Sequence, residues 1–600
     1  MTYQIDIEPI GQHWSGTDDV SLLDICRQAG VGISSLCGGS GTCGSCKVQI
    51  LDGQVSPLTE AEREQLSPTE LADGYRLACQ VYPQGNIRVR IPPESLTSAQ
   101  RIQVEGKELG VAIKPVVEDY DIKLSPPTLE DVRSDVTRLQ DYLLEQYGLD
   151  GLSIDVELLR RLPGWLRELN WEATLGIRGS ELVSLQPVGQ TRLGLAVDLG
   201  TTKIAAYLVD LRTGQTLAAT GAMNPQITYG EDVIARIAYA MRGPKETTTL
   251  SQLASTAITE LTQKLCTQSK HTTGEIAEVV IVGNTAMHHL LLELPVSQLG
   301  TSPYVPALSN PLDVKARELG FDFAPGCYVH LLPNIAGFVG ADHVAMLLAT
   351  DIYEARETVI GIDIGTNTEI TLRIPEKLIS CSTASGPAFE GAHIKDGMRA
   401  TDGAIERVRI IGSQVQYQTV NNLPPVGLCG SGILDTVAQL VQSSIIGKKG
   451  VIGEHPRGRR TEHGWEFVLV TAEESSSGRG ISITRHDINE ILLAKAAIRT
   501  GINVLLAEVG LTANDIYKVI IAGAFGTYLD VTSAITIGMF PQLPLERFSQ
   551  VGNAAGMGAK LALVSKEQRT KAEEIARQVQ YIELAANPHF AEEFTRAMLL

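Results

Sequence analysis

Hydrophobic and polar positions change period several times along the 600 residues, and the changes divide the chain. Tyr3, Ile5 and Ile7 alternate with polar neighbours, the period-two signature of a strand, and predict an opening strand pair over residues 2–14. A helical period follows over Ser21–Ala29, then strands at Lys47–Leu51 and Ile87–Ile91. Thr59 and Glu62 form a capping-box pattern that starts another short helix. Residues 93–125 lack a sustained helical period and carry prolines near their edges, which predicts a linker with at most a strand or two. Two helical stretches come next, Leu129–Tyr147 and Val156–Leu169, the second interrupted at Pro163-Gly164. Beyond them lie runs of apolar strand residues that end in glycine: Leu195–Leu199, Val279–Val282, Gly361–Ile364 and Val519–Ala522.

The resulting division is a first domain at 1–92, a linker at 93–125, a small middle domain at 126–191 with spacer or dimerisation as its role, and a large unit at 192–600. A chain of this length exceeds what one hydrophobic core organises. The large unit is internally repeated. Asp198-Leu-Gly200-Thr201-Thr202-Lys203 after one apolar strand matches Asp363-Ile-Gly365-Thr366-Asn367-Thr368 after another, and Val279–Gly283 matches Val519–Gly523. Two halves, about 192–356 and 357–600, with insertions in the second, predict a duplicated fold with a cleft between them.

Charge narrows the partners. The formal net charge of −19 repels phosphate backbones and anionic lipid, so neither nucleic acid nor a membrane surface is an expected partner. No segment approaches the apolar length of a membrane span, and the first residues lack a signal peptide's basic start and apolar run, so the expectation is a soluble, cytoplasmic protein.

Nine cysteines are too few for a disulfide scaffold, and five of them fall within the first 79 residues. Leu36-Cys37-Gly-Gly-Ser-Gly-Thr-Cys43-Gly-Ser-Cys46-Lys47 places three thiols on one glycine-rich loop, and Cys79 follows. Four thiolates close a binuclear iron-sulfur cluster, whose negative charge asks for the backbone N–H groups that a glycine-rich loop can bring close. A zinc knot is the competing reading, but zinc sites pair two C-x2-C dyads and Cys79 stands alone. Cys26, on the apolar side of its helix, reads as a buried small hydrophobe. The spacing resembles that of the adrenodoxin-like branch of [2Fe-2S] ferredoxins, implying a β-grasp fold with Cys37, Cys43, Cys46 and Cys79 as iron ligands.

Each Asp-x-Gly-Thr turn can present backbone N–H groups and hydroxyls to phosphate oxygens, while its carboxylate holds hydrated magnesium. The repeated turns resemble the phosphate motifs of the ASKHA superfamily (acetate and sugar kinases, Hsp70, actin), and Gly523–Gly526 resembles its adenosine motif. That resemblance implies two ribonuclease-H-like halves closing on MgATP. It assigns Asp198, Gly200, Thr201, Thr202, Lys203, Asp363, Gly365, Thr366, Asn367, Gly523 and Gly526 to the nucleotide. Asp198 and Asp363 are the catalytic candidates, Glu369 is a further nearby carboxylate, and no catalytic base is assigned. Gly430, in the glycine-rich start of the helix Ile433–Val441, is a candidate anion contact whose alternative is a simple turn.

The whole arrangement resembles the reductive activators of corrinoid proteins. That resemblance implies transfer of one electron from the cluster to a Co(II) corrinoid at the expense of ATP, with a corrinoid protein as partner, an upstream electron donor and a homodimer formed through the ASKHA region. The alternatives are an ATP-coupled donor to a radical dehydratase or other low-potential metalloenzyme, whose relatives share a cluster between ASKHA subunits, and a plain ferredoxin-type carrier. Scattered Cys266, Cys327, Cys381 and Cys429 disfavour the first, and two intact turns disfavour the second.

Overall fold

The computed structural model describes residues 2–600 apart from 9–11, 18, 30, 32, 34–36, 38, 43, 45, 93–94, 96–109, 463, 476–477, 524 and 527. It is a multidomain α/β and α+β protein, beginning with a β-grasp unit. Thr2–Glu8 pairs antiparallel with Gln12–Thr17 and parallel with Ile87–Arg90, and the five-stranded sheet is completed by Lys47–Asp52 and Tyr75–Leu77. Helix Leu22–Gln28 covers the sheet because Leu22, Leu23, Ile25 and Cys26 share its inner face, and Ser21 Oγ caps it by accepting from the Asp24 N–H. The capping box at Thr59 and Glu62 starts the helix Glu60–Gln65.

The second unit carries a four-stranded sheet with helices Asp135–Tyr147 and Val156–Glu168. Its strand Val117–Lys123, which falls in the stretch expected to be linker, pairs antiparallel with Glu172–Arg178. Pro163 does not interrupt its helix, contrary to the sequence expectation. Leu158, Leu162 and Leu166 form one fully buried stripe, and burying that stripe outweighs the one backbone hydrogen bond proline removes.

The remaining chain forms two halves on six-stranded sheets. In the first, Thr216–Met223, Lys203–Asp210, Leu193–Leu199, Ile276–Val282 and Tyr328–Leu331 lie in that order, with Leu312–Lys315 at the edge. In the second, Lys377–Thr383, Thr368–Ile374, Val359–Ile364, Lys518–Ala522 and Phe548–Gly552 repeat the order and the directions: two antiparallel pairings, then two parallel ones. Strand Ile276–Val282 is buried throughout, Val279 and Ile281 facing one core and Val280 and Val282 another, as expected of a central strand covered on both faces. Both halves carry two helices between the third and fourth of these strands in chain order, and the second half is longer because two three-stranded sheets are inserted there as well.

The halves are joined by close helix packing. Helix Ala341–Thr350 meets Ala554–Val564 so tightly that a Cβ on Gly558 would lie 2.0 Å from the Ala345 carbonyl oxygen. Buried Glu278 receives Arg178 of the second unit at 3.1 Å and Arg569 of the C-terminal region at 2.8 Å, so one carboxylate ties three parts of the chain together. Among the described residues no helix is long and apolar enough to cross a membrane.

Candidate functional site

Strand register brings Cys46 and Cys79 of the first unit together. Lys47 faces Leu77 in the antiparallel pair, and the Ala78 N–H donates to the Cys46 carbonyl at 2.8 Å. Cys46 and Cys79 flank that pair, and the Cys46 thiol lies 3.4 Å from the Cys79 sulfur. Hydrogen bonding from Cys46 brings the Cys79 thiol down to about 7. Such a thiol deprotonates readily, as an iron ligand must. Charge on Cys37 acts on Cys79 in the opposite sense, which puts Cys37 within electrostatic reach; Cys43 lies outside the described residues. Gly41, at φ +82°, lets the loop pass against Gln80, whose Nε2 would be 2.9 Å from an added Cβ. The Cys79 end of the strand is fixed from below: fully buried Glu62 takes Arg76 Nε at 2.8 Å and Nη2 at 2.9 Å, and also accepts the Leu77 N–H at 3.1 Å. The donor chemistry fits a [2Fe-2S] cluster. Cys26 is buried and its thiol is pushed up to about 12 by desolvation, and Cys266, Cys327, Cys381 and Cys429 are buried far from such a constellation.

The second constellation lies where the two repeated turns meet. Asp198 and Asp363 stand at equivalent positions, next to last in their strands. Asp198 pairs across with Ala205 and Asp363 with Glu369. The turns face each other directly: Thr202 Oγ1 lies 3.0 Å from Thr366 Oγ1. Each turn is braced by its own half. Asn284, the N-cap of helix Thr285–Leu291, donates to Thr201 Oγ1 at 2.8 Å, Asn224 donates to the Gly200 carbonyl at 2.9 Å, and the Gly365 N–H reaches the Asn367 carbonyl at 3.1 Å. Lys203 is exposed at the start of its strand. A Cβ on Gly200 would lie 2.6 Å from the Lys203 carbonyl oxygen, so the tight turn excludes a side chain.

Four carboxylates share this region. Asp198, Asp342 and Asp363 keep a partly exposed surface, but protein surrounds them closely enough that desolvation dominates their titration. Burial pushes Asp198 up to about 6, against which Asn553 Nδ2 donates to it at 3.0 Å. Burial and the Asp198 charge take Asp342 to about 7, and burial with the charges of Asp342 and Asp198 takes Asp363 to about 8. Glu369, 8% exposed, is raised well above the usual range by burial and by Asp342 and Asp363, although Ser382 donates to it at 3.1 Å. Buried like charges held close together shift this way. Among the described residues no three such groups converge into a cage that could hold a metal ion.

Gly523, at φ +90°, passes so close to the second turn that a Cβ would sit 2.4 Å from the Ile364 carbonyl oxygen and 2.8 Å from Asp363 Oδ1. Gly526 packs equally closely on the Ala522 carbonyl oxygen, 2.2 Å from an added Cβ, and its own carbonyl accepts from Gln550 Nε2 at 2.6 Å. Gly430 is buried, and its missing side chain makes room for the Phe389 carbonyl oxygen, 1.8 Å from where a Cβ would be. Phe389 in turn stacks on Phe525, centroids 4.7 Å apart. Asp342, Glu390 and Asn553 are the members the sequence reading missed. Asn553 carries a signal, an Asn before a small-residue helix, whereas Glu390 reaches both turns from the end of a single 3-10 turn, Pro387–Glu390, with no motif of its own: its Oε1 accepts from Thr366 at 2.7 Å and Thr202 at 3.3 Å. The adjacent His288 and His289 are buried and uncharged in character. Desolvation takes His288 down to about 3, and both rings are used on local hydrogen bonds.

A ferredoxin unit followed by a duplicated ribonuclease-H-like domain, with paired phosphate-type turns at the cleft, defines an iron-sulfur protein with an ASKHA domain. Comparison with known proteins agrees along the chain. Residues 5–84 match a 2Fe-2S iron-sulfur cluster binding domain, 106–192 the RACo linker region, 193–355 the RACo middle region, and 357–600 the C-terminal domain of RACo, the ASKHA domain. The corrinoid activation enzyme RamQ of Eubacterium limosum is 30% identical over 588 residues, covering 96% of this chain and 95% of its own. The [Co(II) methylated amine-specific corrinoid protein] reductase of Methanosarcina barkeri is 26% identical over 64% of this chain and 72% of its own. A solved structure, a reductive activator for a corrinoid, iron-sulfur protein, superposes with a TM-score of 0.75 at 37% identity, covering 100% of this chain and 98% of the other. This chain belongs to the family of reductive activators of corrinoid proteins.

Proposed function

We propose that this protein reactivates a corrinoid protein by passing one electron from a [2Fe-2S] cluster, held by Cys37, Cys43, Cys46 and Cys79, to Co(II), restoring Co(I) in a reaction driven by ATP. The observation that carries the reading is that one chain joins a thiol pair 3.4 Å apart in a ferredoxin fold to two phosphate-type turns whose hydroxyls meet at 3.0 Å. Between the halves, Asp198 and Asp363 would hold the hydrated magnesium of MgATP, and Thr201, Thr202, Thr366 and the turn amides would hold its phosphates. Bound there, magnesium would supply positive charge beside the carboxylates. Gly523 and Gly526 would border the adenosine.

The energetics are within reach. For one electron about 59 mV corresponds to about 1.4 kcal/mol, so an uphill gap of roughly 180 mV costs about 4 kcal/mol. A nucleotide-dependent difference in binding between two conformations can supply that much. Nucleotide closes the halves and alters the surface offered to the corrinoid protein, so ATP need not touch cobalt. The protein works as a cytoplasmic homodimer and is recharged by an upstream electron donor. Replacing Cys46 by Ser tests the electron route: cobalt reduction is lost while nucleotide turnover by the ASKHA domain persists. Cobalt reduction that survives in a cluster-free C46S protein places the electron path elsewhere.

A further inference from the structure

Glu390 is the one acidic side chain described here that touches both turns. Its Oε1 accepts from Thr366 Oγ1 at 2.7 Å and from Thr202 Oγ1 at 3.3 Å, and those two hydroxyls are 3.0 Å apart. The segment carrying it is built onto the second turn. The Gly386 N–H donates to the Thr366 carbonyl at 3.0 Å, and Ser385 Oγ lies 2.8 Å from Thr368 Oγ1. On its other side Phe389 stacks at 4.7 Å, with planes 13° apart, on Phe525 of the adenosine-type segment. Glu390 is therefore anchored to the parts that would hold both ends of a nucleotide.

A carboxylate gains nothing from direct contact with a phosphate, since both are negative. Next to a phosphate its useful roles are to hold the cation or to accept a proton. The cation role already has candidates in Asp198 and Asp363, each next to last in its strand, and in Asp342 in the first turn of helix Ala341–Thr350. A group in contact with both turn hydroxyls lies within about one water of any terminal phosphate those hydroxyls bind.

Resting on the nucleotide reading above, we infer that Glu390 is the base that activates water for ATP hydrolysis, the role for which the sequence offered no candidate. The water oxygen forms a bond to the γ-phosphorus as the bond from that phosphorus to the β–γ bridging oxygen breaks, its electron pair leaving with ADP. The water's proton passes to the Glu390 carboxylate and then to the released phosphate or solvent.

The test compares full-length wild type with Glu390→Gln and Glu390→Ala, each carrying its cluster, in MgATP turnover with a Co(II) corrinoid protein present. The expected result is a fall in kcat of about 100-fold or more, as for loss of a general base, with nucleotide affinity held within about threefold and E390A partly rescued by added formate. Unchanged turnover in E390Q overturns the inference while leaving the nucleotide reading intact. Loss of nucleotide binding in both variants, or restoration of E390Q by raised magnesium alone, also overturns it, because Glu390 is then a structural residue or a cation ligand. Wild type that neither binds nor hydrolyses ATP removes the nucleotide reading and the inference together.

Discussion

Asp198 and Asp363 stand next to last in equivalent strands of two sheets that share the order of five strands, yet their surroundings differ. Asp198 faces Ala205 across its hairpin and receives a hydrogen bond from Asn553. Asp363 faces Glu369, and burial with the charges of Asp342 and Asp198 takes it to about 8, where Asp198 stops at about 6. The second turn is also the one on which the Glu390 segment is built, and the half that carries the inserted sheets. Duplication supplied a symmetric frame in which each half contributes two of the four carboxylates, and the larger upward shifts fall on Asp363 and Glu369 of the second.

The largest consequence concerns turnover. Asp198→Asn and Asp363→Asn should each lower ATP turnover by about 100-fold or more, the scale of removing a preorganised electrostatic group, while the cluster's visible spectrum is unchanged. Undiminished turnover in either variant removes that half from the chemistry.

A stability comparison comes next in size. Gly283 and Gly523 are equivalent strand-end glycines, but only Gly523 has positive φ, at +90°. An added Cβ would lie 2.4 Å from a backbone oxygen at Gly523 and 2.7 Å at Gly283. Gly523→Ala should cost upwards of about 3 kcal/mol, strain and overlap together, and Gly283→Ala about 1–3 kcal/mol. Chemical denaturation of the two variants checks the order, and equal losses would show that the backbone strain at Gly523 relaxes.

A smaller effect is the pH dependence of the nucleotide-free protein. Asp198, Asp342 and Asp363 hold their protons more tightly when folded than the ordinary value of 3.8, at about 6, 7 and 8. Their contribution to stability is therefore fully present below pH 4 and lost as pH rises through 6–8. Thermal unfolding without nucleotide should show this decline. Asp363→Asn should flatten it more than Asp198→Asn, and MgADP should stabilise more at pH 8 than at pH 6. An unaltered slope in D363N would contradict the charge asymmetry.

Much of this was legible because the chemistry sits in local motifs. The cysteine spacing carries its chemistry on one loop and one strand end, and each Asp-x-Gly-Thr turn is a strand, a tight bend and a strand contiguous in sequence. The duplication predicted from the turns appears as the same order of five strands in both sheets, the sixth strand lying at opposite edges. Asp342 and Glu390 were hidden because each is delivered by a helix or loop whose own sequence has no reason to look catalytic; only tertiary packing puts them beside the turns. Pro163 misled for the opposite reason, a strong local breaker overruled by the Leu158–Leu162–Leu166 stripe. Strand Val117–Lys123 was hard to separate from linker because its burial alternates weakly and its partner strand lies beyond two helices.

The most direct test of the account is reduction of a Co(II) corrinoid protein, from the same organism, by the pre-reduced protein, followed by visible absorption with and without ATP. The account predicts that Co(I), or its methylated product, accumulates only when ATP is present and the cluster is intact. Cluster reduction and ATP hydrolysis without any change at cobalt would contradict it, leaving both modules sound and their target something else.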